Sequence, residues 1–278
     1  MLKFLERSVA SVDERLVLLA PPDTELPPIF SNIDIDLDRH ERLVRAMQRF
    51  RGSVYLEDGA VEPDQLSPEG LHQTPEDEKS WHLLLLNAAG RVSACTWFRQ
   101  HDNKVYFDRL RLRQCPLATT NGWRDKLWKA VETDIASARR DGIHYAEVGG
   151  WAVAKESRFS PEALLLALAS YSLGRIGGGT LGVTTATVRH QSSTILKRIG
   201  GKHLEVDGVT MPPYYDPNYR CVMEILRFDS REPSKQFGHL VGMLCEKLAE
   251  VLLVARPFWP MPDTLPALSE QRLALAVA

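Results

Sequence analysis

The sequence has few cysteines. Cys95, Cys115, Cys221 and Cys245 stand far apart with no paired spacing, which argues against a disulfide framework or a zinc knuckle and suits a reducing compartment. Its eight histidines show no ligand spacing either, so no metal is expected. Neither sign of charge dominates: 34 Lys and Arg oppose 36 Asp and Glu, for a net charge of −2. No global field therefore points to nucleic acid or an anionic membrane. Long apolar runs are missing as well. LLLL at 83–86 and VLLVA at 251–255 fall far short of the roughly 20 residues a transmembrane helix needs. Glu6, Asp13 and Glu14 interrupt the apolar N-terminal patch, against a signal peptide. The expectation is a soluble, cytoplasmic protein with no integral membrane segment and no nucleic-acid partner.

What is present suits a large folded domain: 278 residues, 44% hydrophobic and 25% charged. Residues 1–38 read as an N-terminal arm, a short amphipathic helix followed by the helix-stopping PPDTELPP. DRHERLVRAMQRFRGSVY carries Leu43, Val44, Met47, Phe50 and Val54 at helical spacing. The polar stretch 56–79, rich in Pro and Gly, predicts a long loop of the kind that often carries function. WHLLLLNAAGRVSACTWFRQ predicts a hairpin turning at Asn87–Gly90, and the alternation in VYFDRLRLRQ predicts a third strand. RDKLWKAVETDIASARRDG predicts a helix, IHYAEVGGWAV a strand, SPEALLLALASYSLGRIGGG a helix and TLGVTTAT a strand. HQSSTILKRIGG predicts a further helix and KHLEVDG with CVMEILRFD a strand pair. Residues 231–256 are expected to form one more helix, so that 231–278 is a C-terminal helix and tail around a domain at 39–230. The fold class is α+β, a mixed sheet with a βαβ unit at its centre.

Within IHYAEVGGWAV, paired glycines interrupt a strand beside a carboxylate, Glu147. Glycines leave a strand nothing to pack, so they mark a bulge or a close backbone approach. The element order, with Glu147 and the glycines on the fourth core strand, resembles the GNAT acyltransferase superfamily over roughly residues 40–228. It is most similar to the autoinducer (acyl-homoserine-lactone) synthases and the N-acyl amino acid synthases. Arg51 followed by Tyr55 resembles that family's R-x-x-x-F, and AAGRVSACTWFR its hairpin strand. EVGGWAV is similar to its E-x-S-R-F-x-V, and ATVRHQSSTILKRIGG to its closing strand and helix. There are departures. The family's arginine after the glutamate is Gly150, and the superfamily's frequent tyrosine in the last helix is Lys197. The glycine-rich pyrophosphate cradle is replaced by SRFSPEA, which weakens a backbone N–H cradle for coenzyme A.

The resemblance implies a mostly antiparallel sheet with strands four and five splayed apart, and an N-acyltransferase. It would move an acyl group from an acyl-phosphopantetheine thioester to the amine of an amino acid or similar small molecule. Acyl carrier protein is the expected partner and donor ahead of coenzyme A, with no permanently bound cofactor. Gly149, Gly150 and Trp151 would aim backbone N–H groups at the developing oxyanion; alternatively, the glycines only accommodate a bulky neighbour. Glu147 would accept the amine proton, or be a carboxylate on a solvated strand edge. Val153, Arg158, Ser160 and Arg189 are the implied donor contacts. Trp97 and Phe98 would line an acyl pocket, unless they serve core packing. Arg51 and Asp77 would bind the acceptor, with Asp58 a further loop carboxylate. Arg109, Arg111 and Arg113 form either a solvated strand face or, with Arg158, Arg189, Lys197 and Arg198, a docking surface for an acidic carrier. Other readings are a catalytically silent domain that binds a lipid or protein partner, and a coenzyme A-dependent N-acetyltransferase.

Overall fold

The structure, a computed structural model, describes residues 2–257 except 13, 14, 103, 159 and 160. A first helix, α1 (Leu2–Ala10), leads to the short strands β1 (Leu16–Leu19) and β2 (Ile33–Ile35) and the long helix α2 (Leu37–Glu57). Asp36 caps α2 by accepting the Arg39 N–H at 2.9 Å. The hairpin β3 (Trp81–Leu86) and β4 (Val92–His101) follows the loop at 58–80. It turns where the Asn87 side chain accepts the N–H groups of Ala89 and Arg91. Next come α3 (Arg124–Arg140), β5 (His144–Val153), α4 (Pro161–Ile176), β6 (Thr180–Thr187) and α5 (Ser192–Ile199). The chain then forms the short strands β7 (Lys202–His203), β8 (Glu205–Val206), β9 (Val209–Thr210) and β10 (Tyr214–Asp216). It closes with β11 (Cys221–Asp229), α6 (Gly238–Leu248) and β12 (Leu252–Ala255).

Ten of these strands form one sheet, in the order β10-β11-β6-β5-β4-β3-β1-β12-β2 with β7 also on β11; β8 and β9 pair separately. Most neighbours are antiparallel. The exceptions are β5 with β6, β1 with β12 and β12 with β2. The first of these is the expected central βαβ unit, β5–α4–β6. Strand alternation sorts the side chains into two cores. Leu16 and Leu18 of β1 join α1, α4 and α6 on one face, while Val17 and Leu19 face α2 on the other. The α2 face continues under α3, where Tyr145, Leu181 and Val183 pack with Leu127 and Val131.

Three expectations need correction. The expected N-terminal arm supplies β1, a buried strand in the sheet interior, because LVLL has apolar partners on both faces. The expected single helix at 231–256 stops at Leu248, and LLVA forms β12 between β1 and β2. A fully buried parallel strand reads as an unbroken apolar run, which periodicity cannot tell from a helix segment. VYFDRLRLRQ is not a strand. It folds into two 3₁₀ turns, Phe107–Arg109 and Arg111–Gln114. Phe107, Leu110 and Leu112 bury themselves from these turns in the α3-side core. Side-chain carboxylates take the backbone donors a sheet neighbour would have used: Glu132 accepts the Phe107 N–H, and Glu147 those of Arg111 and Leu112.

Candidate active site

The parallel ladder between β5 and β6 runs from His144–Thr180 to Val148–Thr184 and ends there. Past this point β5 follows β4 and β6 follows β11, so the two strands open. On the β4 side, Cys95 pairs with Ala152 and Trp97 with Gly149, which leaves Gly150 and Trp151 together opposite Thr96. This is a bulge with its glycine in the left-handed region, φ +64° at Gly150. The glycines also make room for Trp97. A Cβ at Gly149 would lie 2.4 Å from the indole, and one at Gly150 would lie 2.3 Å from it. The strand therefore bulges at these glycines, and a bulky neighbour, Trp97, fills the space beside them.

The opening holds a cavity of about 250 Å³ walled by residues 148–153 of β5 and 183–187 of β6. It draws its lining from both faces of the sheet. On the α2 side stand Arg51, Tyr55, His72, Arg111, Glu147 and Tyr219. On the α4 side stand Ala163, Ala167, Ser170, Tyr171, Leu196 and Phe228. One end is thus rich in polar groups and the other is mostly apolar, joined through the gap between strands.

At the polar end the charges are already matched. Arg51, only 1% exposed, donates through Nη1 to Asp77 Oδ1 (2.9 Å) and through Nη2 to Oδ2 (2.7 Å). The Thr74 N–H and the Gln48 amide also donate to Asp77. Burial would raise the Asp77 carboxyl, but the Arg51 guanidinium and these donors hold it below the ordinary range. The two residues expected to bind an acceptor therefore bind each other, tying α2 to the loop. Arg111 donates to buried Glu76 and to Tyr219 Oη (2.8 Å). Arg109 and Arg113 stay at the surface with Tyr106 and Asp108, so the three arginines share no face.

Glu147 is 3% exposed. Its Oε2 accepts His101 Nε2 (3.0 Å) and the Arg111 N–H (2.9 Å), and Oε1 accepts the Leu112 N–H (2.8 Å). It is no solvated edge carboxylate; it holds the turn segment against the sheet. Trp151 and Val153 line the cavity, as does Trp97. Phe98 is 1% exposed, packs in the α4-side core and is not among the lining residues. Arg158 pairs with Asp58 (2.8 Å), and Arg189 donates to the Asp58 carbonyl and, at 3.0 Å, to that of Arg220. Lys197 of α5 pairs with Glu224 of β11 (2.9 Å). Ser160 lies outside the described residues.

Sequence reasoning missed His72, Glu76, Tyr219 and the small residues Ala163 and Ala167. The first three come from loops, with no periodicity to mark them. The spacing of Ala163, Ala167 and Ser170 on α4 was readable as one face, but their smallness matters only opposite an opening. Among the described residues, no group of His, Cys, Asp and Glu could hold a metal ion, and no helix is long and apolar enough to cross a membrane.

A mostly antiparallel sheet opened at one parallel pair, next to a bulge, defines a GNAT-like fold. Solved structures similar in fold include BjaI, a CoA-dependent acyl-homoserine lactone synthase, determined with SAM and isopentyl-CoA. It is 12% identical, covers 87% of this chain and 94% of its own, and superposes with a TM-score of 0.53. The same synthase with MTA gives 0.52 at 12% identity, again over 87% and 94% of the two chains. FeeM, an N-acyl amino acid synthase from uncultured soil microbes, is more distant: 0.42 at 13% identity, over 72% and 95%. No protein-family model matches the sequence, and no curated protein matches it.

Proposed function

We propose that this protein is an N-acyltransferase that moves an acyl group from a phosphopantetheine thioester to the amine of an amino acid or similar small molecule. The observation that carries this reading is the cavity through the sheet, polar on the α2 side and mostly apolar on the α4 side. An acyl thioester and an amine need those two environments to meet at one carbonyl. In the reaction the amine nitrogen bonds to the thioester carbonyl carbon, the C–S bond breaks, and the thiolate leaves and is protonated while the amine loses a proton. The bulge leaves Gly150 and Trp151 without ladder partners, so their N–H groups are the candidates for the oxyanion. Glu147 Oε1, with one donor from the protein, is the candidate to take the amine proton.

The acyl chain is assigned to the α4 side, against Ala163, Ala167 and Val153. Arg158 and Arg189 line the cavity beside Asp58, where a phosphate could take their donors. The missing glycines in SRFSPEA favour acyl carrier protein over coenzyme A. A second reading, a silent binding domain, draws support from Glu147 being engaged by three donors.

The test is turnover of acyl-carrier-protein and acyl-coenzyme A thioesters against a panel of amines. S-adenosylmethionine belongs in the panel because BjaI was solved with it. Mass spectrometry of the products, and of lipids extracted after overexpression, reports new N-acyl amides. Their absence with every donor and amine would leave the silent reading.

A further inference from the structure

His72 lies in the loop between α2 and β3, is 8% exposed, and lines the cavity. Its carbonyl accepts Arg51 Nη2 at 2.6 Å, and its ring Nδ1 accepts Arg51 Nε–H at 3.1 Å. A guanidinium has donors and no acceptor, so Nδ1 must be bare. The single proton of the neutral ring then sits on Nε2. The guanidinium cannot turn away, because Asp77 grips its other edge through two bonds. Tyr55 meets the imidazole edge-on, with centroids 5.2 Å apart. Among the described residues, Nε2 has no hydrogen-bond partner. The same guanidinium also lies beside the bulge: a Cβ on Gly150 would lie 3.2 Å from Arg51 Nη1. His72 and the bulge therefore flank one fixed group.

We infer that His72 is a hydrogen-bond donor to a substrate oxygen, through the Nε2–H of an imidazole whose tautomer Arg51 fixes. The charged groups around the ring agree. Burial first, then the Arg51 and Arg111 guanidinium groups, resist protonation; Asp77 favours it, and the ring stays neutral down to about 4. Neutral imidazole is a competent electrophile in enzyme sites, and the fixed tautomer removes His72 from the candidate bases. The substrate's identity rests on the acyltransferase reading; the tautomer does not. Two substrate oxygens fit the chemistry: the thioester carbonyl, which becomes an oxyanion, and a carboxylate on the acceptor.

Nitrogen NMR of the ¹⁵N-histidine-labelled protein, with His72→Gln for assignment, reads the ring directly. The expected result is a protonated Nε2 and a bare Nδ1, unchanged from pH 5.5 to 8. A ring that titrates near the ordinary value of about 6.5, or carries its proton on Nδ1, overturns the inference whatever the activity. Kinetics then separates donor from scaffold. Glutamine can accept from Arg51 and still donate to the cavity, whereas His72→Glu accepts but donates nothing. With folding verified by melting curves, His72→Glu should lose activity about 10²-fold, as loss of one such donor does, and His72→Gln should recover most of it. A loss in kcat assigns the thioester carbonyl, and a rise in the amine KM assigns the carboxylate. A folded His72→Glu variant with wild-type activity defeats the inference. If the wild type turns over no thioester, the acyltransferase reading fails, while the NMR result still decides between donor and acceptor.

Discussion

Arg51 and Asp77 are 26 residues apart in sequence and meet as a two-pronged ion pair that is almost wholly buried. Removing one partner of such a pair leaves a charge in the interior, which costs about 3–5 kcal/mol, whereas replacing both with apolar groups costs much less. Asp77→Asn should therefore destabilise strongly in urea unfolding. Arg51→Met with Asp77→Leu should be closer to wild type than either single change. Additive losses would mean that each residue contributes through separate contacts.

The two glycines of the bulge should respond differently to alanine. The three atoms nearest a Cβ on Gly149 all belong to the Trp97 ring, so Trp97→Leu should largely restore the stability of Gly149→Ala. Gly150→Ala meets the same ring and lies 3.2 Å from Arg51 Nη1, and it also forces a side chain into φ +64°, which costs about 1–2 kcal/mol. Trp97→Leu should rescue it only in part. Melting temperatures of the four variants decide this, and equal rescue would refute the backbone explanation.

Glu147→Gln should affect both fold and rate. The glutamine oxygen can replace part of the carboxylate, but its amide nitrogen must then face a backbone N–H or His101. One buried donor left without an acceptor costs about 1–3 kcal/mol. Hydrogen exchange should speed up across 107–114. If Glu147 also takes the amine proton, kcat should fall by about 10²–10⁴, and less at high pH, where more amine is already neutral. A lowered melting temperature with unchanged kcat would assign it to holding the turn segment alone.

Stability should decline on acidification from about pH 6.5 to 4. Burial pushes both His72 and His82 down to about 4, whereas in the unfolded chain they take a proton near 6.5. Between those values the unfolded state binds more protons, so stability falls with pH, by up to about 3 kcal/mol for each ring. Asp77 adds a loss further down. Its depressed carboxyl stabilises the fold above the ordinary carboxylate value, and that contribution goes as pH falls through its lowered folded value. Urea midpoints from pH 4 to 8 should be level above 7 and slope below 6.5. A flat profile would show that these rings are not held neutral.

The elements that sequence made readable are those whose own periodicity decides them. Examples are α2, the hairpin turned by Asn87, and the pair β5 and β6 around α4. EVGGWAV marked the bulge beside the cavity, since two glycines in a strand already require something close by. Reading failed where a distant group decides the outcome. VYFDRLRLRQ alternates like a strand, yet the Glu147 carboxylate, more than thirty residues later, takes its backbone donors. Arg51 and Asp77 were both recognised as unusual, but nothing local says that they satisfy each other. His72 sits in a polar loop and gains its role only from the guanidinium that docks on it.

The placement of β12 has a consequence for the order of events during synthesis. Among the described residues β2 has β12 as its only neighbour in the sheet, and β12 is also what covers one side of β1. A ribosome delivers β1 and β2 more than two hundred residues before the strand that joins them. Until then β2 has nothing to pair with and β1 presents an open apolar edge, a condition that invites association with other chains. Closure of this side of the sheet must wait until nearly all of the described chain has been made. A nascent chain stopped before Leu252 should therefore be more prone to aggregation and easier to proteolyse within its first forty residues than one released after Ala255.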